Sequence, residues 1–372
     1  MRKLPLIDLT ILIAGLVVII AGCGPRVSST AEPPSPSDVR TDSAVRLTFI
    51  TQPVGDIAGS AFDTEPVVAA EDAEGNIVTS YRGLVALTIT PGTGGSKARL
   101  FGGTTVRLVN GVVEFRDLHI DKSGAGYTLT ATSNTLVPAT STPFTILPGA
   151  PAKLSFTTQP SNGVAGSPLT IQPELTVQDR YGNMASSYEG SVVLSATITY
   201  VSQETSETWW GVISGTTTVP LVNSIARFTD ISADLAIPGY KLIAESEGLG
   251  SASSKYFTIS PAAPAKLEFT VQPEGALAET PFETQPKVAI EDVYGNVVNS
   301  SRASVTLSIA PGTGTAGAIL SGTETLIAEG GLGGLAVFTN LSIDQAGSDY
   351  MLKATSKGIT STISQAFNVS AP

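Results

Sequence analysis

The stretch Leu175-Thr176-Val177-Gln178-Asp179-Arg180-Tyr181-Gly182-Asn183 decides the fold. Leu175 and Val177 are apolar two positions apart, and Thr176 and Gln178 are polar, so the spacing predicts a strand with one face inward and one toward water. The strand ends at Asp-x-x-Gly-Asn, where Asp can bond its own backbone and Gly-Asn tolerates positive φ. The arrangement occurs twice more. Val68 and Ala70 lead to Asp72 and Gly75-Asn76, and Val288 and Ile290 lead to Asp292 and Gly295-Asn296; across the three stretches the intervening residues Ala69, Glu71, Thr176, Gln178, Ala289 and Glu291 are mostly polar.

Outward from these stretches the rest of a domain repeats with them. A Gln-Pro pair lies upstream at Gln52, Gln159 and Gln272, and these glutamines are spaced by 107 and 113 residues, as are Asn76, Asn183 and Asn296. Downstream come alternating strands at Val85-Leu87-Ile89, Val192-Leu194-Ala196 and Val305-Leu307-Ile309. Phe115, Phe228 and Phe338 follow, each twelve residues ahead of Tyr127, Tyr240 and Tyr350, which open a Tyr-x-Leu-x-Ala run whose members share one face. Solenoid units run roughly 20–50 residues, so this period is that of a whole small domain.

Three domains are expected, over residues 46–148, 151–260 and 264–370. Short alternating strands, frequent turns and no helical period predict an all-β chain of tandem β-sandwiches. A Tyr opening a late strand resembles the tyrosine corner of immunoglobulin-like sandwiches. The absence of a Cys pair and core Trp excludes an antibody-type domain but not that architecture.

Composition narrows the chemistry. Net charge is −11, which repels nucleic acid phosphates and leaves a solvated surface. One cysteine, Cys23, and one histidine, His119, exclude intrachain disulfides, Cys-rich zinc sites and His-based catalytic constellations. His119 sits between Leu118 and Ile120 in an outward slot of the strand after Phe115, a structural position. Neither a nucleophile elbow, a P-loop nor a dinucleotide fingerprint is present, and the chain reads as a non-enzyme.

Residues 1–22 read as an export signal. Arg2 and Lys3 form a positive start, and the apolar run Leu9 to Ile20, interrupted just before it by Asp8, falls short of the roughly 20 residues of a spanning helix. Ile20-Ala21-Gly22-Cys23 resembles the bacterial lipobox. That resemblance implies cleavage before Cys23, a lipid on its thiol and attachment to the membrane. Residues 23–45, with Pro25, Pro33, Pro34 and Pro36 among Ser and Thr, then form an extended tether.

The pattern Leu-x-Phe-x-x-Gln-Pro, Asp-x-x-Gly-Asn, Phe and Gly-x-Tyr-x-Leu, over nearly everything after residue 45, resembles the bacterial immunoglobulin-like repeats of invasin and intimin type. The resemblance implies rigid extracellular modules of a surface protein or adhesin. Such proteins often carry a β-barrel anchor and a terminal lectin-like domain; here the expectation is a lipobox in place of the barrel and an array of three repeats. The joints Leu147-Pro148-Gly149-Ala150-Pro151-Ala152-Lys153-Leu154 and Ser260-Pro261-Ala262-Ala263-Pro264-Ala265-Lys266-Leu267 are expected to be semi-rigid, because Pro limits rotation in both. Three such domains in line would reach roughly 100 Å.

Two candidate sites emerge. Repeats one and three carry Pro91-Gly92-Thr93-Gly94 and Pro311-Gly312-Thr313-Gly314, whereas repeat two has a longer segment with Tyr200, Glu204, Glu207, Trp209 and Trp210. Aromatics beside carboxylates suit a surface glycan or a protein partner; the same residues also suit a hairpin extension covering the flank of the domain. The second candidate is calcium at the joints. Asp72, Asp179 and Asp292 sit at one turn, and Asp121, Asp234 and Asp344 precede the Tyr strand, at opposite ends of an immunoglobulin topology. Asp121 facing Asp179 and Asp234 facing Asp292 could contribute oxygens to an ion that wants six to eight; turn-forming aspartates without metal are the other reading. The expected role is a non-catalytic exported lipoprotein, an adhesive or structural spacer facing the cell exterior or periplasm. The alternative is an accessory subunit binding carbohydrate or protein through the Trp-bearing segment.

Overall fold

In each repeat the strand ending at the Asp turn lies between two antiparallel neighbours; in the first two repeats these three form a sheet of their own, and in the third a parallel bridge from Lys266 to Thr360 joins them to the facing strands in one seven-stranded sheet. Glu174–Gln178 lies between Lys153–Thr158 and Ile225–Arg227. Val67–Glu71 lies between Arg46–Thr51 and Val112–Glu114, and Lys287–Glu291 between Lys266–Val271 and Leu335–Val337. The computed structural model describes residues 43–185, 188–201, 206–328 and 333–372; the signal, Cys23 and nearly all of the tether lie outside the described residues. Every element among the described residues is a β-strand, and no helix there is long and apolar enough to cross a membrane.

The facing sheet is built on the second alternating run. Leu84–Ile89 pairs with Leu129–Thr132 and Thr105–Arg107, and Ser304–Ile309 pairs with Leu352–Ser356 and Thr325–Ile327. In the middle domain this strand is longer, Ser191–Val201, and pairs with Tyr240–Glu245, Thr218–Pro220 and Ser206–Gly211. Inward side chains of the two sheets make one core per domain, around Tyr127, Tyr240 and Tyr350. These are immunoglobulin-like β-sandwiches.

One detail departs from the alternating pattern. Ala69, Thr176 and Ala289 occupy water-facing positions by sequence, yet all three are buried. Their cross-strand neighbours explain it: Thr48 and Val112 flank Ala69, Ser155 and Ile225 flank Thr176, and Glu268 and Leu335 flank Ala289. Ala69 and Ala289 each lie between two larger side chains, whereas Thr176 lies between the smaller Ser155 and the larger Ile225.

The Gln-Pro pair marks a change of sheet. Just before it the first strand's register shifts, between Phe49 and Thr51, Phe156 and Thr158, and Phe269 and Val271. Pro then ends the ladder, because it has no N–H to give. The chain crosses to run parallel to the domain's last strand, Ile57 against Leu147, Gly163–Val164 against Ile259–Ser260, and Ala276–Leu277 against Phe367–Ser370. The glutamine fastens that crossing. Its side-chain oxygen accepts the backbone N–H of Thr142, Lys255 or Gln365, at 2.9, 2.8 and 2.9 Å.

Each late tyrosine forms the corner expected of it. The rings of Tyr127, Tyr240 and Tyr350 are fully buried, and their hydroxyls donate to the carbonyls of Lys122, Leu235 and Gln345 at 2.7, 3.1 and 2.9 Å. The glycine ending each Pro-Gly-Thr-Gly turn lies against that ring, Gly94 on Tyr127 and Gly314 on Tyr350, where a Cβ would collide. His119 stacks on Phe101, with ring centroids 5.2 Å apart and Nδ1 3.1 Å from the Asp117 carbonyl.

Candidate functional site

The Asp-x-x-Gly-Asn turn of one domain is the element that grips the domain before it. Within the turn, Asp179 Oδ1 accepts the N–H groups of Tyr181 and Asn183 at 2.8 and 2.9 Å, while Oδ2 accepts the Asn183 amide at 2.8 Å. The same oxygen accepts the linker N–H of Gly149 at 2.9 Å. Asn183, fixed in this way, reaches back. Its Nδ2 donates to the carbonyl of Asp121 at 2.9 Å, and its Oδ1 accepts the N–H of Ser123 at 3.0 Å. The Lys122 ammonium, between those two, donates to the carbonyl of Tyr181.

The second joint repeats this construction. Asp292 Oδ1 accepts from Tyr294 and Asn296 at 2.9 Å each, and Oδ2 accepts the linker N–H of Ala262 at 2.9 Å. Asn296 donates to the carbonyl of Asp234 at 2.7 Å and accepts from the N–H of Ala236 at 2.8 Å. Asp179 and Asp292 are almost completely buried. Burial alone would raise their pKa, but the asparagine side chain, the linker N–H and the turn N–H groups outweigh it and hold both below the ordinary value.

A third contact was hidden in the variable position of the turn. Tyr181 lays its ring against Gly59 of the first domain and packs on that domain's core, and Tyr294 lies against Gly166 of the second. A Cβ at either glycine would overlap the hydroxyl end of the tyrosine side chain. Arg180 covers the Tyr181 ring at 4.6 Å and donates to its hydroxyl at 2.6 Å, whereas Val293 takes that place beside Tyr294, which is left exposed. The available sequence signal was the residue before Gly-Asn: Tyr181, Tyr294, but Glu74 in the first repeat.

The aspartates meet across the joints as backbone and side chain rather than as paired carboxylates. Asp121 and Asp234 contribute their carbonyls. The Asp121 carboxylate accepts the N–H of Arg99 at 2.8 Å, and that of Asp344 accepts the N–H of Ile319 at 2.7 Å, both within their own domains. Asp72 Oδ1 accepts the N–H of Asn76 at 2.8 Å. A calcium ion does not fit this donor set, because the joint carboxylates already face N–H groups whose positive ends would oppose a cation. Among the described residues no group of three or more His, Cys, Asp or Glu side chains is placed to hold a metal.

The Trp-bearing segment is a hairpin in which Thr197 lies opposite Trp210, Ile198 opposite Trp209 and Tyr200 opposite Glu207. Glu204 lies outside the described residues, as do the side chains of Tyr200, Glu207 and Trp209. Trp210 is 77% exposed. Thr197 on its other side faces Lys241, whose ammonium lies 5.5 Å from the ring centre of Tyr256, itself 61% exposed. Trp210, Thr197, Lys241 and Tyr256 thus form a row across the outer face of the middle domain. The sister domains have Thr128 and Pro143, or Met351 and Ala366, in the places of Lys241 and Tyr256. Neither residue carries a repeat-breaking motif, and their pairing follows only from sheet register.

No protein-family model matches the chain, and no curated protein sequence matches it. Among solved structures it is similar to the Escherichia coli adhesin FdeC, at 16% identity over 89% of this chain and 98% of that one, with a TM-score of 0.30. It is also similar to invasin, a bacterial integrin-binding protein, at 15% identity, TM-score 0.31, over 86% of this chain and 60% of that one. The Yersinia pseudotuberculosis adhesin InvE matches at 12% identity over 58% of each chain, with a TM-score of 0.24.

Proposed function

We propose that the chain is a non-catalytic exported lipoprotein, anchored through Cys23, whose three domains form a stiff spacer serving adhesion or envelope structure. The observation that carries this reading is the joint: at both joints a buried Asp holds the linker, an Asn holds the preceding domain, and a Tyr covers a glycine there. Independent domain motion is the default for tandem modules, and directed side-chain hydrogen bonds with ring packing oppose it. Anchoring is supported by the single cysteine at the end of the apolar run. Spin-label distances measured across the first joint should be narrow, and a broad distribution would remove the spacer reading. Metabolic lipid labelling should disappear in Cys23→Ala; labelling that persists would overturn the anchor.

A second reading is favoured by the row of Trp210, Lys241 and Tyr256. An exposed Trp gives a flat apolar face to a sugar ring or a protein partner at low entropy cost. Under this reading the middle domain carries recognition and the others carry distance. Binding in glycan-array and whole-cell assays should fall when Trp209 and Trp210 are both replaced by Ala, and unchanged binding would sink the reading.

A further inference from the structure

We infer that the outer faces of the first and third domains are the two halves of the joint found inside the chain, fit to meet in a second copy, and are held apart by Glu74 opposing Glu279. The lower face of the first domain carries the gripping turn. Asn76 donates through its backbone N–H to Asp72 Oδ1 at 2.8 Å and through its amide to Oδ2 at 3.1 Å, as Asn183 does with Asp179, but Asn76 is exposed. The third domain carries the receiving face. Asp344 and Ala346 occupy the places of Asp121 and Ser123, whose carbonyl and N–H are what the asparagine takes at the first joint.

The position that receives the tyrosine identifies itself by its hydrogen bond. The N–H of Gly59 donates to Ile120 at 2.8 Å and that of Gly166 to Ala233 at 3.0 Å. In the third domain the same bond runs from Glu279 to Ile343 at 2.8 Å. Backbone φ is left-handed in all three, +80, +72 and +64°. Glycine adopts that conformation freely, whereas glutamate is strained in it. A second copy placed in joint register would set Glu74 where the ring of Tyr181 lies, directly against Glu279. Both side chains are exposed and charged. Within the chain, by contrast, each joint pairs Tyr with Gly.

The physical consequence is selection of partner. A contact between unlike faces adds copies without closing and produces open chains. Like charges at its centre oppose that addition while leaving the two internal joints untouched. Turn, asparagine and acceptors recur in all three domains, and the Tyr–Gly pair of the internal joints is replaced at the outer faces by Glu74 and Glu279.

A charge exchange tests this on the full chain in density-matched detergent, by sedimentation velocity over a range of concentrations. Glu279→Lys should strengthen end-to-end association more than about tenfold, because repulsion at Glu74 becomes attraction. Adding Glu74→Lys should return it to the wild-type level, since two lysines again oppose. Transferring the opposed pair inward, with Gly59→Glu and Tyr181→Glu together, should broaden distances across the first joint. Wild-type association as strong as that of Glu279→Lys, or equal association of the single and double lysine variants, would overturn the inference. So would a first joint that stays narrow with both glutamates in place.

Discussion

The amide of Asn183 donates to the carbonyl of Asp121 at 2.9 Å across 62 residues of chain, and joins two cores that share no sheet. The asparagine is positioned for this by Asp179, which accepts from both its backbone and its amide. Asn183→Ala therefore removes two interdomain bonds and the brace that orients them. It should weaken coupling of the first two domains by about 1–3 kcal/mol, with each core intact. Calorimetry should show their melting transitions separate, and distances across the joint should broaden. Asn76→Ala loses only its own turn and should leave coupling unchanged. Equal effects of the two substitutions would mean that Asn183 acts on its turn alone.

The joints should be sensitive to acid. Asp179 and Asp292 are pushed up by burial and, more strongly in sum, held down by asparagine, linker and turn donors, so both lie below their ordinary value of 3.8. A folded-state pKa below the unfolded one contributes stability that is present above the unfolded value and lost as pH falls through the folded one. Interdomain distances should therefore be constant from neutral pH to about 5 and broaden below the ordinary carboxylate range. Broadening that begins near pH 6 would assign the transition to another group.

Much of this construction was readable from the chain, and what escaped reading has a physical reason. Alternation at Leu175 and Val177 marks the strand and its inward face because side-chain direction has a period of two, while the burial of Thr176 on the other face depends on its cross-strand neighbours. Tyr127, Tyr240 and Tyr350 gave the corner because a buried hydroxyl must find a partner nearby. The pairing of Tyr181 with Gly59 was not legible, since nothing local to a glycine shows what packs on it from another domain. Similarly, Asp121 reads in sequence as a carboxylate ligand but serves the joint through its carbonyl, a group that every residue has. Lys241 and Tyr256 came together only through sheet register, on strands that periodicity places without ordering.

Glu65 should make the first domain prefer mild acid. Its Oε1 accepts the N–H of Leu118 at 2.9 Å, while its buried Oε2 has no hydrogen-bond partner among the described residues. In the other domains the same place holds Gln172 and Gln285, whose amides donate to the carbonyls of Ile231 and Leu341 at 3.1 and 3.0 Å. Burial raises the Glu65 pKa above its ordinary 4.5, the Leu118 and Asp117 N–H groups lower it, and the charges of Asp117 and His119 act in opposite directions. A raised folded-state value gives a contribution complete below the unfolded pKa and lost as pH rises through the folded one. Glu65→Gln should stabilise the first domain at pH 7 by about 1–2 kcal/mol, with the gain shrinking toward pH 4. A gain independent of pH would show that the carboxylate charge is not its source.

Ser224 occupies a place built for glycine. Its carbonyl accepts the N–H of Val177 at 2.9 Å, as Gly111 does from Ala70 at 2.9 Å and Gly334 from Ile290 at 3.2 Å. Asn223 and Ser224 both have positive φ, 52 and 61°, and the first domain meets the same demand with Asn110 and Gly111, the preferred pair for such a turn. A left-handed serine is strained, and the buried Oγ of Ser224 has no hydrogen-bond partner among the described residues. Two penalties therefore fall on one residue. Ser224→Gly removes both, offset by the greater freedom of glycine in the unfolded chain, and should stabilise the middle domain by about 1–2 kcal/mol. Ser224→Ala removes only the unpaired hydroxyl and should recover a smaller part. Denaturant midpoints of the middle-domain transition separate the two contributions. If alanine stabilises as much as glycine, backbone strain contributes nothing at this turn; if neither stabilises, the serine hydroxyl is satisfied by solvent and the turn carries no penalty.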